Sequence, residues 1–262
     1  MGISRRRFLT ALGGLAVPLA DPLGLAKALA STGMGGLFSQ ELERYHFAQI
    51  RYRGGDWDPD PTAAIRLTEE IVKRTSVVAS TTRKNLSILS PDLFSYPMIY
   101  ITGHYDFQPF SQEETQRLRQ YLDYGGFLLA DDCLGHPGYD FDKAIRRELA
   151  RLYPEKSLKR LHRDHSVFRS FYLIKTLGGR RIVSPYLEGI DIGDRTAVLY
   201  CQNDIGCAWE RDEAGRWVHP CLPGGERQRR LAFQLGVNIV LYALSQDYKQ
   251  DRIHLPFIRQ RI

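Results

Sequence analysis

The chain has 262 residues, 43% of them hydrophobic, with a formal net charge of +6. That is enough apolar material for one sizeable core and a length that suits one α/β domain. Half of the excess charge lies in the first thirty residues, where Arg5, Arg6, Arg7 and Lys27 face only Asp21, so the remainder carries +3 and no basic stripe. Nucleic acid is therefore excluded as an expected partner.

The amino terminus, Ser4-Arg5-Arg6-Arg7-Phe8-Leu9-Thr10 followed by a mild apolar run from Ala11 to Ala20, resembles a twin-arginine export signal. Ala26, Ala28 and Ala30 offer small residues for cleavage. The apolar run is too short and glycine-rich to span a bilayer, which takes about 20 residues. The expected organisation is a signal over 1–30, a linker over 31–44, an α/β domain over 45–250 and a tail over 251–262. The expected location is the periplasm or beyond, with membrane contact only through an uncleaved signal.

The first strand is expected over Phe47 to Tyr52, where apolar and polar residues alternate. Gly54, Gly55 and Asp56 follow at its carboxyl end; the structural reading is a tight turn held by Asp56. Asp60 before Pro61 has the pattern of an N-cap opening a helix to Arg74. A second short strand is expected near Leu86 to Leu89. Ser90-Pro91-Asp92 opens one helical turn.

The stretch from Tyr96 to His136 reads as strand, helix, strand. Met98 to Thr102 is a β-branched and aromatic run, Ser111 and Glu114 have capping-box spacing, and Gly125-Gly126 closes the helix before the apolar run Phe127 to Ala130. A parallel βαβ unit gathers polar groups at strand carboxyl ends, where open sheets bind ligands. His104, Asp131, Asp132 and His136 fall there, as do Asn203 and Asp204 after a later strand, Arg195 to Tyr200. With Asp56 they form the expected ligand-binding set. A divalent metal held by His104 and Asp131 is one use of such groups. Between these strands, Phe141 to Leu152 has a helical face, and Val167 to Ile174 has strand composition. His162-Arg163-Asp164-His165 has metal-capable donors that more often mark a hydrated loop.

Residues 205–210 and 217–221 are expected to form a β-hairpin excursion, in a register that sets Cys207 nearly opposite Cys221. A disulfide between them would suit an oxidising compartment. A helix from about Glu226 to Ser245 closes the domain, with Asn238 read as a satisfied core amide.

Asp132-Cys133-Leu134-Gly135-His136, after a buried strand, resembles the nucleophile elbow of class I glutamine amidotransferases. Val218-His219-Pro220 is similar to their His-Pro-Glu element. With Gly55-Asp56-Trp57, Tyr100 to His104, Leu187 to Ile190 and Gly206 to Glu210, the chain over roughly 45–245 resembles an uncharacterised bacterial domain-of-unknown-function family of that fold. The resemblance implies a three-layer, mainly parallel α/β architecture, amidotransferase-like or flavodoxin-like. It also implies a thiol nucleophile at Cys133 with His219 as base. The pattern departs at three positions: Asp131 stands for the first elbow glycine, Pro137 for glutamine, and Cys221 for the acid. Two carboxylates beside Cys133 would suppress its thiolate. The favoured expectation is thus a module binding a small polar ligand or a periplasmic protein partner in the crevice. The other is a hydrolase, either metal-assisted through His104, Asp131 and Asp132 or thiol-based through Cys133 and His219.

Overall fold

The computed structural model describes residues 44–259, with side chains to residue 246. The signal-like segment 1–30 and nearly all of the linker lie outside the described residues. Five strands run parallel: β1 (Tyr45–Ile50), β2 (Ala79–Leu86), β3 (Met98–Gly103), β4 (Phe127–Asp132) and β7 (Arg195–Cys201). Two more, β5 (Lys159–Arg160) and β6 (Glu188–Ile192), extend the sheet antiparallel from β7, giving the order β2-β1-β3-β4-β7-β6-β5.

Helices cover both faces. On one, α1 (Ala63–Arg74), α4 (Ile205–Trp209) and α5 (Gly225–Arg259) pack Leu67, Ile71, Trp209, Leu235 and Ile239 against Phe47, Tyr100, Leu129 and Leu199. On the other, α2 (Gln112–Asp123) and α3 (Asp140–Leu152) place Leu118, Tyr121, Ile145 and Leu149 over Ile99, Ile101, Leu128 and Ala130. The period-2 alternation of strand side chains feeds both cores, which is why β3 and β4 are apolar throughout their first four residues. No described helix is long and apolar enough to cross a membrane.

The central βαβ unit forms as its sequence dictates. The Ser111 hydroxyl accepts the Glu114 N–H at 3.1 Å, and the Glu114 carboxylate accepts the Ser111 N–H at 2.7 Å, completing the capping box. Gly126 stands where a Cβ would lie 2.3 Å from the Tyr121 ring.

Several local expectations are corrected. The second strand is β2, which ends at Leu86 where the expected strand was to begin; it is an edge strand of mostly polar residues that are half-buried or exposed, so no apolar run marks it. Residues 166–169 form a 3₁₀ turn in place of a strand, pinned by Asn238. The expected hairpin over 205–221 is absent: residues 205–209 are helix α4, and a single bridge, Arg211 to Trp217, remains. The antiparallel excursion is the β6–β7 pair instead. The closing helix runs past Ser245 and through much of the expected tail.

Candidate functional site

The carboxyl ends of β1, β3, β4 and β7 converge, and the loop after each contributes acids, thiols or histidine. After β1 the chain turns through Gly54 and Gly55, both at positive φ (72° and 62°), conformations that favour glycine. This delivers Asp56 to the end of β3. Its Oδ1 accepts the backbone N–H of His104 at 2.8 Å, and its Oδ2 lies 2.6 Å from His104 Nδ1. Both side chains stay 29% exposed. Asp56 thus organises the loop after β3 as well as its own turn. Gly103 allows this approach, since a Cβ there would fall 2.1 Å from the Tyr52 hydroxyl, which donates to the Thr102 carbonyl.

Asp131 and Asp132 are the last residues of β4, and both are buried. Consecutive strand residues face opposite sides, and so do these. Asp131 turns toward α4: Oδ1 accepts the Ile205 N–H at 3.1 Å, and Oδ2 accepts the Gly206 N–H at 2.8 Å and the Tyr100 O–H at 3.0 Å. Burial pushes its carboxyl up to about 7, against these three donors. Asp132 closes the following turn, its Oδ1 accepting the N–H groups of Leu134 and Gly135. His136 is exposed in the loop beyond. His104, Asp131 and Asp132 are therefore near one another in topology yet engaged separately. They do not form a ligand cluster.

Among the described residues the group that does is Asp60, Cys133, Asp204 and Cys207, all buried, whose donor atoms all lie within 4.8 Å of one another. Asp60 is not the N-cap that Asp60-Pro61 suggested; the cap residue is Thr62, whose N–H is taken by Glu210 at 3.0 and 3.2 Å. The Asp60 side chain instead points inward, where the Cys133 thiol donates to its Oδ2 at 3.4 Å. Its Oδ1 has no hydrogen-bond partner; His219 Nε2 stands 3.6 Å away, and the His219 side chain is 33% exposed. Cys133 lies 2.9 Å from the Thr102 hydroxyl. Burial, then the neighbouring Cys207 and the acids, push its thiol well up, so it is not a standing thiolate.

Asp204, at φ 56°, caps α4 by accepting the Cys207 N–H at 3.1 Å, and its Oδ2 pairs with Arg180. Burial first and the charge of Asp131 next raise its carboxyl, with Arg180 opposing. Arg180 also donates to the Cys133 carbonyl at 2.9 Å, closing the cluster from the side of a cleft of about 710 Å³ that contains Gly135, Arg181, Val183 and Pro220. Asn203, expected to bind ligand, holds the 183–184 segment: Oδ1 accepts from Val183 and Ser184, and Nδ2 donates to the Ser184 carbonyl, each at 2.8 Å.

The cysteine pairing is also corrected. All four cysteines are free and buried, Cys207 lies in a helix, and the thiol it approaches is Cys133, not Cys221. His162 and Asp164 are exposed and paired at 3.3 Å, while His165 is tied to Thr196 at 2.9 Å, so that string gathers no donor set.

Sequence reasoning missed Asp60 and Arg180 as site residues. The first is masked by a local capping pattern, and the second sits in a glycine-rich turn whose destination depends on β7. No local signal marks either.

The fold and site together define an α/β protein whose parallel strands end on a sealed thiol and carboxylate cluster beside a more open Asp–His pair. The family model described as "Domain of unknown function (DUF4159)" matches residues 46–244, and the chain belongs to that family. No curated protein matches the chain.

Proposed function

We propose that this is an exported, amidotransferase-like binding domain that takes a small polar ligand at the carboxyl ends of its parallel strands. The strand order β2-β1-β3-β4-β7 supports a flavodoxin-like arrangement, in which the order reverses between β1 and β3. Ligands of such sheets sit at that reversal. The observation that carries the reading is the Asp56–His104 pair, 2.6 Å apart at that point with both side chains still partly exposed. A carboxylate and an imidazole held by each other and by backbone can present one acceptor and one donor to a hydroxyl-rich or amide-bearing ligand. The test is a thermal-shift screen of the purified protein against sugars, amino acids and small carboxylates, followed by calorimetry. Hits should weaken by about tenfold in His104→Ala, the loss of one or two hydrogen bonds. Hits that bind His104→Ala unchanged, or a screen without hits, sink this reading.

A second reading is a thiol hydrolase, favoured by one observation: Asp60 lies between Cys133 and His219, at 3.4 and 3.6 Å. The carboxylate would have to relay the proton, and the thiol is sealed. Alkylation of Cys133 at neutral pH no faster than an ordinary cysteine would rule it out.

A further inference from the structure

We propose that Asp60, Cys133, Asp204 and Cys207 form a binding site for one divalent transition-metal ion of zinc-like character. The inference is independent of the ligand reading, because the Asp56–His104 pair contributes nothing to it.

The composition is the first argument. Two thiols and two carboxylates come from three separate segments, Asp60 after β1, Cys133 after β4, and Asp204 with Cys207 at the start of α4, and their donor atoms converge within 4.8 Å with every residue buried. Tetrahedral coordination at about 2.1–2.3 Å sets donor–donor separations of roughly 3.4–3.8 Å, so the cluster closes onto an ion by shifts of about 1 Å or less. Thiolates select zinc-like ions over magnesium or calcium.

Charge balance is the second. Asp60 and Asp204 sit beside a third buried acid, Asp131, and the cation paired with them is Arg180, which is bonded to Asp204. Buried carboxylates without compensating charge cost several kcal/mol each unless protonated. Asp60 is 4% exposed, and its Oδ1 accepts no hydrogen bond. His219 is within ion-pair range of this oxygen, at 3.6 Å, and is charged only when protonated; a cation at the cluster would supply a permanent partner for a buried carboxylate oxygen that lacks a hydrogen bond. A disulfide between Cys133 and Cys207 would remove the thiols and leave that oxygen and the acids as they are.

The surroundings also suit a metal site. The Thr102 hydroxyl touches Cys133 Sγ, Arg180 and the Cys207 N–H fix the Asp204 carboxylate, and Arg180 holds the Cys133 carbonyl. Such outer partners orient ligands and set affinity. Partly exposed His219, at the outer edge of Asp60, marks the route of entry. On loading, each bound thiol gives up its proton to solvent as its sulfur lone pair bonds the ion, with no redox change.

The test is metal loading of the purified full-length chain with Zn²⁺ or Co²⁺, dialysis against a weak chelator, and elemental analysis. Stoichiometric metal is expected, together with a near-ultraviolet thiolate-to-cobalt charge-transfer band. Cys207→Ser and Asp60→Asn should each lower affinity by about tenfold or more, and Cys221→Ser should not. Should those variants misfold, thermal unfolding of the wild type serves: Zn²⁺ should raise its Tm in a concentration-dependent way that a strong chelator reverses, and an unchanged Tm would count against the site. Substoichiometric metal, a cobalt spectrum without the thiolate band, or a Cys133–Cys207 disulfide found by mass spectrometry would each overturn the proposal.

Discussion

Asp131 Oδ2 accepts the backbone N–H of Gly206 at 2.8 Å, while Oδ1 of the same carboxylate takes the Ile205 N–H at 3.1 Å. This acid, the last but one residue of β4, thereby anchors the start of α4, the helix that carries Cys207. Removing it in Asp131→Ala leaves two backbone donors and the Tyr100 hydroxyl without an acceptor in a buried site. The expected destabilisation is about 3 kcal/mol or more, read by urea unfolding. Tyr100→Phe removes one donor together with its bond and should cost only about 1 kcal/mol. Equal effects of the two would show that Asp131 does not hold α4.

Asn238 is the second such anchor, from the middle of α5. Its Oδ1 accepts the N–H groups of Phe171 and Tyr172, and its Nδ2 donates to the carbonyls of Val167 and Tyr172. One amide thus satisfies four backbone groups of an irregular segment. Asn238→Leu should destabilise by about 3–5 kcal/mol, since those groups are left buried and unpaired. Asn238→Asp keeps the shape but turns an acceptor toward two carbonyls, and it should be nearly as severe. If hydrogen exchange of 167–172 is unchanged in either variant, the assignment fails.

What was legible in the sequence was what neighbours in sequence decide. The capping box at Ser111 and Glu114 and the apolar runs of β3 and β4 depend on spacing within a few residues, and both formed. Asn238 was legible too, because a polar residue inside an apolar helical stripe must find partners. The rest depended on distant groups. β2 is an edge strand whose exposed residues carry no core pattern. Gly206-Cys207-Ala208-Trp209 has the composition of a strand, yet Asp204, in the left-handed region, caps it as a helix with Asp131 adding two acceptors. Asp60 fits an N-cap locally, but the N–H of Thr62 at the start of α1 is taken by Glu210, 148 residues beyond Thr62. The candidate site followed the same rule. Topology named the right end of the sheet, but the cluster joins positions 60, 133, 204 and 207, and only the folded chain sets them together.

The substitution of Glu210 for a local cap can be tested. Glu210 is 5% exposed, its carboxylate accepts the Thr62 N–H, and the Thr62 hydroxyl donates to the Arg211 carbonyl at 2.9 Å. These bonds clasp the start of α1 to the end of α4. Glu210→Ala should cost about 1–2 kcal/mol, the usual loss for an N-cap, seen as a lower Tm. Glu210→Gln keeps an acceptor and should lose less. A larger loss in Gln than in Ala would contradict the capping role.

Gly206 gives the sharpest check on how tightly the strand ends are packed. A Cβ built there would stand 2.6 Å from the Tyr100 hydroxyl, 3.1 Å from Asp60 Oδ2 and 3.3 Å from Asp131 Oδ2. The hydroxyl is the worst contact, since real Cβ atoms do not approach a heavy atom so closely. It is also the one a conservative change removes. Gly206→Ala alone should destabilise by about 1–3 kcal/mol through overpacking. In the Tyr100→Phe background the methyl gains room, and what remains are two carboxylate contacts that yield by a few tenths of an ångström. The double variant should therefore be more stable than the sum of the single losses predicts, by about 1 kcal/mol, within the range measured for contacting residues. A double-mutant cycle on urea unfolding free energies measures this coupling. Simple additivity would mean that Tyr100 does not bear on Gly206, and that the Asp131 carboxylate reaches α4 through a looser arrangement than the one described.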